Sequence, residues 1–179
     1  MTPHSMPVTV VPMEVLDAIK SRRSVRSYSD RTVPEEVLTR ILEAGRIAPS
    51  ANNRQPWHFV VVQDPERRKA LSGGRWAGFL KECPVVIAGC GDKTRSPEWY
   101  AVDVTIALQN MVTQATAEGI GTCWIGSFDE ATVKEALDVP ENFSVVAMLA
   151  VGYASDKPKA ERKARPMGEV VSRDRFGPG

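Results

Sequence analysis

The hydrophobic and polar positions of the chain fall into two patterns, apolar stripes at helical period and short uninterrupted apolar runs. Val15, Leu16 and Ile19 share one face of a short helix that begins near Met13 and ends around Ser21. Thr32-Val33-Pro34-Glu35 opens a second helix, since Thr and Glu three apart match a capping box and proline suits a first turn. Val37, Leu38, Ile41, Leu42 and Ala44 continue it as an apolar stripe. Asp64-Pro65 reads as an N-cap and a first-turn proline, starting a helix that runs to about Leu71 and stops at Ser72-Gly73-Gly74. Shorter helices are expected from Trp76 to Lys81 and from Glu130 to about Leu137. Trp57 to Val62, Pro84 to Gly91 and Val145 to Val151 read as buried strands, with Cys123 to Ile125 as a short extended piece.

The longest helical pattern runs from Trp99 to Glu118 and is stopped by Gly119 and Gly121. One apolar stripe comprises Ala101, Val104, Leu108, Met111 and Ala115; a second comprises Val102, Ile106, Thr113 and Ala117. Asp103, Asn110 and Gln114 are confined to narrow polar strips. A surface helix needs one apolar stripe, so two imply burial on two sides. A central helix in one domain satisfies that, and so does a helix pressed against a second copy of the chain.

A length of 179 residues fits one domain with a substantial core. The chain divides into a loose arm over residues 1–12, a folded unit over 13–154 and a C-terminal extension over 155–179. The arm is interrupted by prolines and holds His4. The extension is polar and basic, with Lys157, Lys159, Arg162, Lys163 and Arg165, and has little apolar content before Val170 and Val171. It cannot bury itself, so it is either disordered or laid on another surface. No apolar run approaches the ~20 residues of a membrane span, and the first dozen residues lack the pattern of a signal peptide, so a cytoplasmic location is expected. Cys83, Cys90 and Cys123 match neither a disulfide framework nor zinc spacing, and are expected as buried thiols. A formal net charge of +1 gives no global pull on nucleic acid, so any anion site must come from local clustering.

Such clustering exists. Arg22-Arg23-Ser24-Val25-Arg26 gathers three guanidiniums and a hydroxyl within five residues. Guanidinium forks grip phosphate two bonds at a time and the hydroxyl adds a donor, although a solvated basic surface explains the same run. Pro49-Ser50-Ala51-Asn52-Asn53-Arg54-Gln55-Pro56-Trp57 is a shaped turn, because its prolines, serine and asparagines each fix or divert the backbone. It is either a wall for a flat, polar-edged ring or a plain connection. The segment from Gly119 to Gly126 follows a helix instead of joining a strand to one, so it fails as a dinucleotide fingerprint. Its glycines suit another purpose, letting main-chain N–H groups approach a planar ring. Acid–base chemistry has little apparatus: with His4 in the arm, His58 is the only base for a Ser-His-Asp arrangement, and it sits on a predicted strand. No His, Cys and carboxylate cluster has metal spacing.

In this order, Arg-Arg-Ser-x-Arg at 22–26, Pro-Ser-x-x-Asn-x-Gln-Pro-Trp at 49–57 and the glycine-bounded segment 119–126 resemble the motifs of the nitroreductase family of flavin-dependent oxidoreductases, over about Val15 to Val170. The resemblance implies an α+β fold with a mixed or antiparallel central sheet flanked by helices, in an intertwined homodimer built around one long central helix. It implies FMN as cofactor and NADPH or NADH as co-substrate. Arg22, Ser24 and Arg26, with Arg23 adjacent, match the segment that holds the FMN phosphate and part of its ring. Lys163 and Arg165 match a C-terminal basic pair that reaches the same phosphate. Backbone amides at Ile125 and Gly126, preceded by Cys123 and Trp124, would face the N5/O4 edge of the flavin, where fixed donors favour the electron-rich reduced state. Trp124 itself is expected in the core. Pro49, Ser50, Ala51 and Asn53 would meet the flavin from the other protomer, Gln55 would shape their loop, and Arg75 is a further candidate for the ring.

The implied activity moves hydride from NAD(P)H, by way of flavin N5, to a small oxidised acceptor such as a nitroaromatic or quinone in a ping-pong cycle. No catalytic side chain is required, because a flavin brings its own reactive atom. Some relatives dehalogenate, dehydrogenate cyclic peptides or fragment flavin, and the loops at 72–79 and 92–99 are where such differences would be set. A non-enzymatic nucleic-acid-binding module built on the two basic clusters is the remaining alternative, weakened by the lack of aromatic interleaving and of global positive charge.

Overall fold

The computed structural model describes residues 13–155 and 163–177. The N-terminal arm and the tail cations Lys157, Lys159 and Arg162 lie outside the described residues. The helices are α1 (Val15–Ser21), α2 (Glu35–Arg46), α3 (Pro65–Leu71), α4 (Tyr100–Ala117), α5 (Glu130–Ala136) and α6 (Met167–Val170). The strands are β1 (Trp57–Val62), β2 (Val85–Asp92), β3 (Gly121–Ile125) and β4 (Phe143–Gly152). They pair antiparallel throughout in the order β1-β2-β4-β3. Among the described residues no helix is long and apolar enough to cross a membrane.

Both faces of the sheet are covered, which is why β2 and β4 are continuous apolar runs without polar alternation. On one face Ile87, Val85, Leu149 and Val151 pack with Val37 and Ile41 of α2 and Val104, Leu108 and Met111 of α4. On the other, Val86, Ala88, Met148 and Ala150 meet Leu71 of α3, Val133 of α5 and Leu80. Leu80 belongs to a 3-10 turn, Gly78–Lys81, to which the helix expected from Trp76 is reduced.

Local sequence decides several helix ends. The Asp64 carboxylate accepts from the Arg67 N–H at 2.8 Å, with Pro65 in the first position of α3. Asp129 opens α5 the same way, accepting from the Thr132 N–H at 2.8 Å. The capping box expected at Thr32 and Glu35 does not form. Pro34 is itself the N-cap of α2 and no side chain closes the end, so Glu35 sits at the first helical position and not the third. The Pro34 carbonyl instead accepts from the N–H groups of Val37 and Leu38 at 3.0 Å, and Glu35 and Glu36 complement the positive helix end. The far end of α4 turns through Gly119 at φ +73°, where a side chain would meet open space but a strained backbone.

The strand at 57–62 is less buried than its apolar run suggests. It is an edge strand with one neighbour, so His58 is exposed, Trp57 and Phe59 to Val61 are half-buried, and only Val62 is fully enclosed. His58 lies edge-on to the Phe143 ring, with centroids 6.2 Å apart.

The two stripes of α4 part company. Val104, Leu108, Met111 and Ala115 are buried, whereas Ala101 is exposed and, of the second stripe, Val102 is 47% exposed, Ile106 is also exposed and Thr113 and Ala117 are half-covered. The neighbouring α1 buries only Ala18; Val15 and Leu16 are 68% and 58% exposed, and Ile19 is exposed too. Within one chain, the apolar face of α1 and the second stripe of α4 are therefore uncovered.

Cys83, Cys90 and Cys123 are free and buried on the α3 and α5 side of the sheet. Burial pushes the Cys83 and Cys90 thiols up to about 11 from an ordinary value of 9.0. Folding thus holds their protons, and the linked stability is intact below pH 9.0 and lost as pH rises toward 11. Native protein at pH 8 is expected to leave these thiols unreactive toward Ellman's reagent on the minute scale, all three reacting once guanidinium is added. Gly119→Ala is expected to lower unfolding stability by about 1 kcal/mol in a urea titration, since an L side chain in the left-handed region costs roughly that much.

Candidate functional site

The arginine cluster begins where α1 ends. Arg22 is the C-cap of that helix, its N–H donating to the Ala18 carbonyl at 3.1 Å. Three residues on, the Val25 N–H donates to the Thr122 carbonyl at 2.9 Å, and Ser24 stands beside Thr122 in a parallel bridge. Residues 22–26 therefore add themselves to the free edge of β3. The approach needs Gly121, because a Cβ there would stand 2.7 Å from Val25 Cγ2. Gly121 makes room for a neighbouring strand and not for a ring. Gly126 is different: it is exposed, and nothing lies within 4 Å of where its Cβ would be.

The bridge also orients the backbone of β3. Since the Thr122 carbonyl points to the outer edge, strand alternation turns the Trp124 N–H to that same side and the Ile125 N–H inward to β4. The open backbone that follows belongs to Gly126. The side chain of Trp124 packs on the α4 face of the sheet, half-buried against the core, whereas Cys123 and Ile125 point to the opposite face. Burial raises the Cys123 thiol above its usual range, with Arg26, a hydrogen bond from Ser24 and Arg22 opposing the rise. The bridge thus brings Ser24 to the edge of β3, with Arg22 and Arg26 on either side of it along the chain.

A cavity of about 470 Å³ opens beside this edge, within the roughly 300–1,000 Å³ typical of small-molecule sites. Arg22, Ser24 and Trp124 line it, with Ala18 and Ile19 of α1 and Gln109 and Thr113 of α4. The last two were not among the expected residues. Nothing along the chain singled them out, Thr113 standing in the second stripe; in the structure Gln109 Nε2 lies 3.3 Å from Thr113 Oγ1. Arg23 serves the helix end, its guanidinium donating to the carbonyls of Lys20 and Arg22 at 2.6 and 2.9 Å. Arg26 is exposed. Tyr28, also unforeseen, clamps the segment by donating its hydroxyl to the Val25 carbonyl at 2.7 Å.

The loop from Pro49 to Pro56 is elsewhere. It leads into β1, on the sheet edge opposite β3 and three strand spacings, or roughly 14 Å, away. Asn52, Asn53 and Gln55 are all left-handed, at φ 50°, 54° and 47°. Ser50 Oγ accepts from the Gln55 N–H and Asn53 Oδ1 from Gln55 Nε2, both at 2.9 Å, so Gln55 does shape the loop. Pro49, Asn53 and Gln55 are exposed, while Ser50 and Ala51 are half-buried. One chain does not bring this loop to the arginine cluster.

In the tail, Lys163 is exposed and Arg165 is taken up by its own short helix, with Nε 3.1 Å from Glu169 Oε2. Met167, Val170, Val171 and Phe176 there are all exposed. Arg75 lies over the Trp76 ring at 5.1 Å. Its loop adjoins the exit of β3, since a Cβ on Gly74 would stand 2.7 Å from the Ser127 carbonyl oxygen.

The sequence profile of the nitroreductase family matches residues 19–73 and 72–153, which is most of the chain. The chain belongs to the nitroreductase family. A relative in Methanothermobacter thermautotrophicus, provisionally named NADH dehydrogenase/NAD(P)H nitroreductase, is 35% identical over 82% of this chain and 80% of its own. The FMN reductase [NAD(P)H] of Bacillus subtilis is 30% identical over 89% of this chain and 72% of its own. The solved FMN-dependent nitroreductase of Clostridium difficile R20291 superimposes with a TM-score of 0.82 at 32% identity, covering 90% of this chain and 99% of that one. The α+β fold with an antiparallel sheet is thus the nitroreductase fold.

In this nitroreductase-family chain the seat of residues 22–26 depends on an absent side chain. Gly121→Ala is expected to cost about 1–3 kcal/mol in thermal unfolding through overpacking against Val25. Adding Val25→Ala should recover much of that loss, and a double-mutant cycle measures the coupling.

Proposed function

We propose that the protein is an FMN-dependent oxidoreductase that draws hydride from NADH or NADPH and passes it to a small oxidised acceptor such as a nitroaromatic or quinone, working as a homodimer. The observation that supports this reading is the bridge between Ser24 and Thr122, which brings the arginine segment to the edge of β3, where Arg22 and Ser24 line one cavity with Trp124. The donor set fits the cofactor. Guanidiniums and a hydroxyl suit a phosphate, and a backbone without a side chain at Gly126 admits a flat ring.

FMN held there would supply the redox chemistry, hydride transfer between nicotinamide and acceptor. The chain's own work is to hold and orient. Arg22 and Arg26 neutralise the phosphate, Ser24 adds a donor, and the outward N–H groups after Thr122 present fixed dipoles to the ring edge. Trp124, on the α4 face, walls the cavity together with Gln109 and Thr113. No carboxylate, histidine, cysteine, tyrosine or lysine is among the described residues lining it, so proton movement is not assigned to a side chain.

The homodimer is part of the proposal for two reasons. The Pro49–Gln55 loop belongs to the same site by motif yet leaves the far edge of the sheet, and a second copy can supply it. The bare apolar faces of α1 and α4, and the exposed Met167, Val170, Val171 and Phe176, would find cover on that copy. Lys163, which is exposed, would then be the tail cation offered to the phosphate, whereas Arg165 would first have to leave Glu169.

The purified protein is expected to be yellow and to bleach on addition of NADPH or NADH, with parallel lines in double-reciprocal plots against a quinone. Colourless protein that takes up no added FMN overturns the reading. Replacing Arg22 and Arg26 together by Gln should raise the FMN dissociation constant at least about tenfold, since one hydrogen bond to a charged group contributes roughly 1.5–3 kcal/mol.

A further inference from the structure

Asp103, in the first turn of α4, is 2% exposed and has no role in the scheme above. Its Oδ1 accepts from the Ala51 N–H at 3.0 Å, and its Oδ2 from the Ser96 hydroxyl at 3.3 Å. Among the described residues both of these partners are neutral and no cation pairs with the carboxylate. Burying an unpaired carboxylate is expensive, and the positive end of α4 offsets only part of it. An apolar side chain would fill a helix turn at lower cost. What the carboxylate does locally is hold the loop.

That loop needs holding. Three left-handed residues in four, at Asn52, Asn53 and Gln55, each cost about 1–2 kcal/mol. The bonds from Gln55 to Ser50 and Asn53 tie the loop only to itself. The bond from Ala51 to Asp103 fastens it to the helix that anchors the core. The other oxygen reaches Ser96, which is fully buried in the connection between β2 and α4. Asp92 fixes the start of that connection, its carboxylate accepting from the Thr94 N–H at 2.8 Å and its N–H donating to the Pro56 carbonyl at 2.8 Å. Asp103 therefore stands between two loops that leave the sheet at the same end.

We propose that Asp103 is a positioning residue for cofactor binding, its carboxylate setting the strained Asn52–Gln55 turn against α4 so that the Pro49-Ser50-Ala51 backbone is presented preformed to FMN on a second copy. This rests on the proposed flavin function and adds the residue that organises the loop. Preorganisation of this kind acts on affinity, because the entropy of ordering the loop is spent in folding and not in binding.

The test is FMN titration of flavin-free protein, followed by quenching of flavin fluorescence. Asp103→Ala is expected to raise the dissociation constant about tenfold or more, whereas Asp103→Asn, which keeps an acceptor for the Ala51 N–H, should stay within about threefold of wild type. Ala51→Pro removes the donor instead, and the extended Ser50 backbone (φ −145°, ψ 158°) accommodates a following proline. It should weaken binding as Asp103→Ala does, and the two together should be little worse than either. An unchanged dissociation constant in folded Asp103→Ala, or two effects that simply add, overturns the inference. So does loss of affinity that accompanies dissociation into single subunits on gel filtration. Should Asp103→Ala not fold, Ala51→Pro decides alone, because it keeps the carboxylate; normal affinity there overturns the inference. Wild-type protein that does not bind FMN sinks the functional reading itself, and this inference with it.

Discussion

The structure turns on one backbone contact, the Val25 N–H seated on the Thr122 carbonyl at 2.9 Å. It bridges residues 22–26 to the edge of β3 and fixes where three arginines can reach. Everything around it protects the contact. Gly121 leaves room for Val25, Tyr28 clamps the Val25 carbonyl, and Arg23 closes the end of α1. An exposed strand edge would otherwise invite pairing with another chain. Here the edge is occupied by the segment that carries the proposed phosphate grip.

A second constraint is that one chain holds two of its motifs apart. The motif at 49–57 lies across the sheet from the motif at 22–26, and no rearrangement short of unfolding moves it around β2 and β4. The apolar faces of α1 and α4 lie bare on the same molecule. One second copy would answer both facts, which is why assembly and cofactor binding are proposed together. The strain in the Asn52–Gln55 turn fits the same picture, because backbone strain persists where surrounding structure over-determines it. Asp103 and Ser96 are the surroundings that do so here.

Much of this was legible along the chain. The helix that starts at Asp64 could be read because cap and first-turn proline act over three residues, and β2 because burial on both faces leaves an unbroken apolar run. The capping box at Thr32 misled because the helix starts two residues later than that pattern implies, leaving proline, not threonine, at the boundary. His58 and its strand looked buried because an apolar run does not say whether a strand has one neighbour or two. The arginine, loop and glycine motifs were readable as residue types with matching chemistry. That Arg23 serves the helix end, that Gly121 serves Val25, and that Gln109 and Thr113 face the cavity were not, since each depends on a neighbour remote in sequence.

By itself the sequence determined the element types, the family and the kind of ligand its polar clusters suit, because periodicity, caps and motif chemistry are local properties. Only the tertiary structure decided which clusters meet. The strand order puts 22–26 against β3 and 49–57 on the opposite edge, and sheet pairing is set by contacts between residues far apart along the chain. It likewise decided that one stripe of α4 is core and the other surface, for a helix carries both stripes identically until something packs against one of them.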